Sequence, residues 1–303
     1  MKYMVSGVGG IGGYLAALLL KQFPQDVTLV VRGQRKAALE RQGLVMHSVR
    51  MGDVIFPDLN LTDEPASAGV QDMIFVATKN YSLVDALEAL RPCVGDKTII
   101  VPVLNGIDHG QVTQETLQRG YVVDSLIYLG AHYNDDYTYS QDTAYGKLVI
   151  GSPWAEQNEI VRRTLDGPNL ECVISADLKS ELWHKYIVNC AYNTITAYYK
   201  CATRGLLKPP SRLDELNGLL QEAVAVGKAD GARLPDNLIE TINNQFLHER
   251  NLDTTSSMAT DVMNGRRTEI ETFGGHLTRL AKRLGVPVPL SDRFYAEMKK
   301  QGL

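Results

Sequence analysis

The chain has 303 residues, 44% of them hydrophobic and 22% charged, with a formal net charge of -4 and an isoelectric point near 5.9. That length suits one or two domains, and the slightly acidic balance offers no basic field for a phosphate backbone, which disfavours nucleic acid and points to a small molecule. Cys93, Cys172, Cys190 and Cys201 lack C-x-x-C spacing and lie in apolar runs, so reduced structural thiols are expected, with neither a disulfide framework nor a metal site. No apolar stretch reaches the ~18 residues of a membrane span and no leader pattern is evident, so a cytoplasmic protein is expected.

The first element is a short apolar strand, Tyr3 to Ser6, running into Gly7-Val8-Gly9-Gly10-Ile11-Gly12 and then into an apolar helix from Tyr14 to Leu20. Strand, glycine turn and helix form the context in which G-x-G-x-x-G marks a dinucleotide site. Gly7 permits the tight turn, Gly9 lets backbone approach a pyrophosphate, and Gly12 lets helix pack on strand. The helix N-terminus offers unpaired N–H groups and partial positive charge to the phosphates.

A β-branched run, Val27 to Val31, reads as the second parallel strand. Twenty residues past Gly12 stands Arg32, where an NAD-binding unit normally carries an acid for the ribose 2′-hydroxyl; an arginine suits a 2′-phosphate instead. Arg35 and Lys36 add charge nearby, so NADP(H) is the expected cofactor rather than NAD. Next, "GLVMHSVRMGDVIFP" reads as two short strands, "DMIFVATKNYSLVDALEAL" as strand, loop and helix, and "KTIIVPVLNGIDHGQVTQETL" as a repeat of that unit. The alternation implies a doubly wound parallel sheet, whose ligands bind at the carboxyl ends of strands. Lys79 and Asn105 lie at two such ends, as cofactor or substrate contacts or as plain turn chemistry. The stretch from Tyr121 to Gly151 alternates like antiparallel strands closing the sheet, and "SPWAEQNEIVRRTLDG" reads as a last helix.

From about Ser175 strand signals stop and helices follow, punctuated at "KPPS", "DGARLPDN" and "GVPVPLSD". The expected division is a Rossmann-like nucleotide-binding domain over 1–172 and an all-helical substrate domain over 173–303. In "ELWHKYIVNCAYNTITAYYK" Lys185, Asn189 and Asn193 recur every four residues, and a step of four drifts by only ~40° on a helix, so they form one stripe. Buried polar groups need partners, and spacing alone leaves a functional stripe and a hydrogen-bonded seam between helices equally open. In "TTSSMATDVMNGRRTEIETFGGHLTRLAKRL", read as a second helix, Glu269 is a candidate buried carboxylate. Ideal angles align Thr268, not Glu269, with Ser257; either Gly265 bends this helix or both residues flank a cleft.

These motifs carry a resemblance. The G-x-G-G-I-G start, the lysine and the "LNG" after later strands, "K-x-x-x-N-x-x-x-N-x-x-x-A" and "SSM-x-x-D-x-x-x-G-R-x-T-E-I" together resemble the ketopantoate reductase (2-dehydropantoate 2-reductase) family over nearly the whole chain. The resemblance implies an NADPH-dependent reduction of a 2-keto acid, ketopantoate to pantoate, on the route to pantothenate and coenzyme A. It implies Lys185 as proton donor and Glu269 as the acid that binds the substrate hydroxyl. It also implies Asn189, Asn193 and Ser257 as substrate contacts, and Lys79 and Asn105 near the nicotinamide and its ribose, Asn105 serving substrate as well. Two positions where the family carries asparagine are Thr203 and Thr254 here, and Ser82 stands for a glutamine; threonine lacks the amide's paired donor and acceptor, so substrate recognition is where this chain departs. A reductase of another 2-keto acid and a non-catalytic NADP(H) sensor are the competing readings, and both a monomer and a homodimer remain open.

Overall fold

The computed structural model describes residues 1–245 and 251–303. The chain divides into two compact units, Met1–Leu178 and Lys179–Leu303. The break lies beyond residue 172 because Glu171–Ile174 still forms a strand of the first unit.

In the first unit, strands β1 (Tyr3–Ser6), β2 (Val27–Val30), β3 (Leu44–Ser48), β4 (Gly52–Phe56), β5 (Asn60–Thr62), β6 (Met73–Val76), β7 (Ile99–Pro102) and β8 (Tyr121–Val122) accompany helices α1 (Gly10–Gln22), α2 (Gly33–Gln42), α3 (Leu83–Leu90) and α4 (His109–Leu117). Six strands make a sheet in the order β5-β2-β1-β6-β7-β8, with every pairing parallel. Successive side chains of a strand point to opposite faces, and here both faces are apolar. Tyr3, Val5, Phe75 and Val101 join α1 in one core, whereas Met4, Ile74, Val76 and Ile100 meet Leu83, Leu87 and Leu90 of α3 in another. That is the double winding expected of a buried parallel sheet. The strand order reverses between β1 and β6, and a crevice forms at the carboxyl ends there.

The strands after β8 differ from expectation. They are β9 (Asp124–Tyr128), β10 (Ala131–Tyr133), β11 (Tyr139–Gln141), β12 (Lys147–Gly151) and β13 (Glu171–Ile174), with helix α5 (Ala155–Leu165) between the last two. None of them closes the main sheet: β9, β12 and β13 build a separate three-stranded sheet, and β10 and β11 join β3 and β4 in a four-stranded one. The edge strand β8 is only two residues long and pairs in parallel with β7. The backbone groups of β9 are taken by β12 instead.

The second unit contains α6 (Leu178–Tyr199), α7 (Pro210–Ala229), α8 (Leu238–Asn244), α9 (Ser257–Met263), α10 (His276–Leu284) and α11 (Pro289–Lys300). The prolines sit where they cost no helical hydrogen bond, at the first turns of α7 and α11. Glu222 of α7 accepts from the backbone N–H groups of Leu290 and Ser291, both at 2.7 Å, a carboxylate at the positive end of α11. Trp183 donates its indole N–H to Asp230 at 2.9 Å, which ties α6 to the end of α7. The stretch read as one long helix around Gly265 is two. Gly265 adopts φ +63, its N–H bonds the Val262 carbonyl, and the Arg266 N–H bonds Asp261, the pattern of a Schellman stop. Arg266 to Glu269 are non-helical, and helix resumes at Ile270.

At the glycine turn the packing constraint is severe. A Cβ on Gly12 would lie 1.9 Å from the Gly7 carbonyl oxygen, whereas one on Gly9 would meet nothing within 4 Å. Gly12→Ala is therefore expected to destabilise the chain by roughly 1–3 kcal/mol or more, because backbone must move, while Gly9→Ala stays within about 0.5 kcal/mol of wild type. Urea unfolding of the two variants checks this; equal losses would contradict it.

Candidate functional site

In the first unit the site starts from the glycine turn. Gly7 takes φ +92, and a Cβ there would come within 2.7 Å of the Ala77 carbonyl and the Thr78 nitrogen on the segment following β6. Gly10 faces the Ala131 carbonyl at 2.2 Å from its would-be Cβ, and Gly13 faces the Tyr139 ring at 2.3 Å. These absent side chains let β6 and the β10–β11 hairpin close on the first turn of α1. Gly9, the residue before that turn, supplies no side-chain cap, so the first N–H groups of α1 are without a side-chain acceptor. Val8 is buried, and its carbonyl accepts from Arg35 at 2.9 Å and from the Tyr139 hydroxyl at 3.3 Å. Ile11 packs half-buried against the core.

Beside this turn runs a groove of ≈ 560 Å³ lined by Gly7, Val8, Arg32, Gln34, Arg35 and Tyr133, among others. Of the three basic residues expected here, two are already engaged. The Arg35 guanidinium bonds Val8 and lies 4.0 Å from the Tyr133 ring centroid, and Lys36 pairs with Asp63 at 2.6 Å. The Lys36 hydrogen bond, with the Arg32 charge beyond it, holds the Asp63 carboxyl below its usual range. Arg32 itself precedes the first residue of α2 and is exposed, and no hydrogen bond links it to a described residue. Lys79 precedes a short 3-10 turn, Asn80–Ser82. The Asn80 amide donates to the Asn105 carbonyl at 2.5 Å, tying together the ends of β6 and β7 where Lys79 and Asn105 sit. Both are half-buried, and neither is among the groove-lining residues, which include Thr78 and Ser82 on either side of Lys79.

A dinucleotide with a 2′-phosphate fits this donor set. Gly9 leaves open space for a pyrophosphate, the α1 N-terminus faces it with unpaired donors, Arg32 stands at the N-terminus of α2, and no acid occupies the place normally reserved for a ribose 2′-hydroxyl.

In the second unit, α6 carries Lys185, Asn189 and Asn193 on one stripe, and the two ends differ. Asn193 is 4% exposed. Its amide oxygen accepts from the Met258 backbone N–H at 3.2 Å and from the Ser257 hydroxyl at 3.3 Å, so it caps α9 beside the Ser256 hydroxyl, which accepts from Ala259. Its nitrogen donates to the Asn189 oxygen at 3.4 Å. This end is a seam between helices, and Ser257 is brought to it. At the other end, burial pulls the Lys185 ammonium down to about 8, against the raising pull of the Glu269 carboxylate. Glu269 is 5% exposed and precedes a wide π-helical turn, Glu271–Gly275. The Tyr186 hydroxyl bonds the Thr272 carbonyl at 2.6 Å, and Cys190 reaches the Phe273 carbonyl at 3.5 Å. Residues on α6 thus fix the turn behind Glu269, and a one-turn π segment of this kind is common at functional sites. Sequence reasoning missed Tyr186; its signal was its place one residue after Lys185.

The two departing threonines are both engaged. Thr203 is 2% exposed, and its hydroxyl meets the Tyr192 hydroxyl at 2.6 Å and the Thr254 carbonyl at 3.1 Å. The exposed Thr254 side chain donates to the Asn251 carbonyl at 2.7 Å. Among the described residues no helix is long and apolar enough to cross a membrane.

Comparison with known proteins bears on both units. The family model described as "Ketopantoate reductase PanE/ApbA" matches residues 3–154, and the one described as "Ketopantoate reductase PanE/ApbA C terminal" matches residues 177–301. An uncharacterized oxidoreductase, YkpB, of Bacillus subtilis is 28% identical, the match covering 99% of this chain and 98% of that protein. A 2-dehydropantoate 2-reductase of Mesorhizobium japonicum is 24% identical over 99% of this chain and 97% of its own length. Among solved structures, a PanE/ApbA family ketopantoate reductase of Ralstonia eutropha superposes with a TM-score of 0.90 at 23% identity, over 99% of this chain and 97% of that one.

The lowered Lys185 value has a consequence for stability. Below pH 8 both folded and unfolded chains hold the proton and the folded one bears the full burial penalty. Between pH 8 and the unfolded value near 10.4 the unfolded chain holds more protons, so stability rises with pH there. Relative to Lys185→Met, the wild type is expected to gain roughly 3 kcal/mol across that window. Urea titrations at pH 7.5 and 10.5 measure it; a constant difference would contradict it.

Proposed function

The chain belongs to the ketopantoate reductase family, and on that premise we propose that it reduces 2-dehydropantoate to pantoate with NADPH, a step on the route to pantothenate and coenzyme A. The observation that carries the mechanism is the half-buried Lys185, whose ammonium desolvation pulls down to about 8 against the raising charge of the buried Glu269. NADPH, when bound, supplies hydride to the keto carbon. Negative charge then grows on the keto oxygen. An ammonium partly withdrawn from water stabilises that charge more strongly than one in bulk solvent, and it gives up its proton to complete the hydroxyl. With a pKa of about 8 the group is still mostly protonated at neutral pH, yet is a far better acid than an ordinary lysine.

The remaining assignments are those that membership of the family implies. Glu269, an acceptor when ionised, takes the substrate hydroxyl. Asn189 presents its amide between Lys185 and Asn193, and Asn193 and Ser257 act at the seam that fixes the start of α9. Gly7 to Gly12 and Arg32 hold the pyrophosphate and the 2′-phosphate, with Lys79 and Asn105 toward the nicotinamide and its ribose.

Turnover is expected to be level below pH 8 and to fall about tenfold per unit above it, because the protonated lysine is the donor. Glu269→Gln removes the charge that raises Lys185 and moves the break to lower pH, and Lys185→Ala lowers kcat by roughly 100-fold or more with NADPH affinity nearly unchanged. Stopped-flow NADPH oxidation across pH 6–10 checks these outcomes; a break that stays put in Glu269→Gln, or near wild-type turnover in Lys185→Ala, would refute the proton-donor assignment.

A second reading, reduction of a 2-keto acid without the distal hydroxyl, draws on Thr203 and Thr254, whose hydroxyls are spent on Tyr192 and Asn251. Comparing kcat/KM for ketopantoate and 2-ketoisovalerate separates the two. The proposed function predicts at least a tenfold advantage for ketopantoate, about what one hydrogen bond to a charged group contributes. An advantage for 2-ketoisovalerate would establish the second reading.

A further inference from the structure

The tip of the β10–β11 hairpin holds an oddity. Tyr137 adopts φ +66, a left-handed conformation that glycine or asparagine fills at less cost in a simple turn. The turn is otherwise well bonded: the Tyr137 N–H bonds the Asn134 carbonyl at 3.0 Å, and Asn134 pairs with Thr138 at 2.8 Å. What the strained backbone does is aim the ring. The Tyr137 hydroxyl donates to the Gln34 side-chain oxygen at 2.8 Å, and both residues line the groove that contains Arg32.

That hydrogen bond fixes which way the Gln34 amide faces. With its oxygen taken by the phenol, its NH2 group is left as a pair of donors, two residues after Arg32 and in the first turn of α2. Around Arg32 the donors are then the Arg32 guanidinium, the Gln34 NH2 group and the N–H groups at the start of α2, while the carboxylate of the groove, Asp85, comes from α3. Such a set of donors suits a dianionic phosphate better than a ribose 2′-hydroxyl, which an adjacent acid normally binds.

We infer that Tyr137 is a positioning residue for cofactor selection, holding Gln34 with its NH2 group turned to an adenosine 2′-phosphate beside Arg32. This rests on the NADP(H) reading above and adds two residues to it. The hairpin is also tied to α2 farther along, where Gln42 donates to the Asp136 carbonyl at 3.1 Å. That second tie separates anchoring of the hairpin from orientation of Gln34.

The test is equilibrium binding of NADPH and NADH to the full chain, by fluorescence titration, for four variants. Tyr137→Phe keeps the ring and loses the hydroxyl; it should weaken NADPH roughly 3- to 10-fold, the value of one hydrogen bond, with NADH unchanged. Gln34→Glu puts a carboxylate oxygen where the NH2 group stood and should weaken NADPH by roughly tenfold or more, again sparing NADH. Gln42→Ala should leave the NADPH to NADH ratio as in wild type. Arg32→Ala reports on the underlying reading. If it lowers the ratio while Tyr137→Phe and Gln34→Glu do not, or do so equally for both cofactors, the role of Tyr137 is overturned and the NADP(H) reading stands. If Arg32→Ala leaves the ratio unchanged as well, both fall.

Discussion

A half-buried ammonium, Lys185, held within the field of the buried Glu269 carboxylate organises the helical unit. Taking Lys185 out of water costs free energy, and only part of it is recovered from Glu269, since the net shift is downward. The surrounding structure must hold that arrangement in place. It does so through α6, whose Tyr186 and Cys190 bond carbonyls of the π-helical turn directly after Glu269. The left-handed Gly265 ends α9 early enough for the chain to pass non-helical through Arg266 to Glu269 before that turn. The apolar residues of α6 thus serve the polar pair as much as the core.

The nucleotide-binding unit depends on absent atoms. At Gly7, Gly10, Gly12 and Gly13 a Cβ would strike backbone or a ring, whereas at Gly9 it would strike nothing. Four glycines are consumed by packing and one is left open, so the turn is rigid where protein meets protein and bare where a phosphate would lie. Arg35 shows the same economy of charge. Its guanidinium is spent on the Val8 carbonyl and the Tyr133 face, which leaves Arg32 as the exposed cation of the groove.

Much of this was legible from residue order, because the signals were local. Strand, glycine turn and helix follow from neighbours in sequence, and so does the period-four polar stripe. The strands after Tyr121 were misplaced because alternation reports a half-buried strand without naming its partner; the pairing of β11 with β3 spans residues far apart in sequence. The long helix failed at Gly265 because a lone glycine in a helical pattern reads equally as a bend or a stop, and only the φ angle separates them. The stripe itself hid two environments, since identical spacing placed Asn193 in a capping seam and Lys185 beside a carboxylate. Tyr137 and Gln34 carry no motif, and their relation exists only in the folded hairpin.

The most direct test is the titration of Lys185 itself, followed by NMR on protein labelled with ¹³C at the lysine ε-carbon and assigned with Lys185→Met. The account predicts one lysine with a midpoint near 8. A midpoint for Lys185 at the ordinary lysine value of about 10.4 would contradict it.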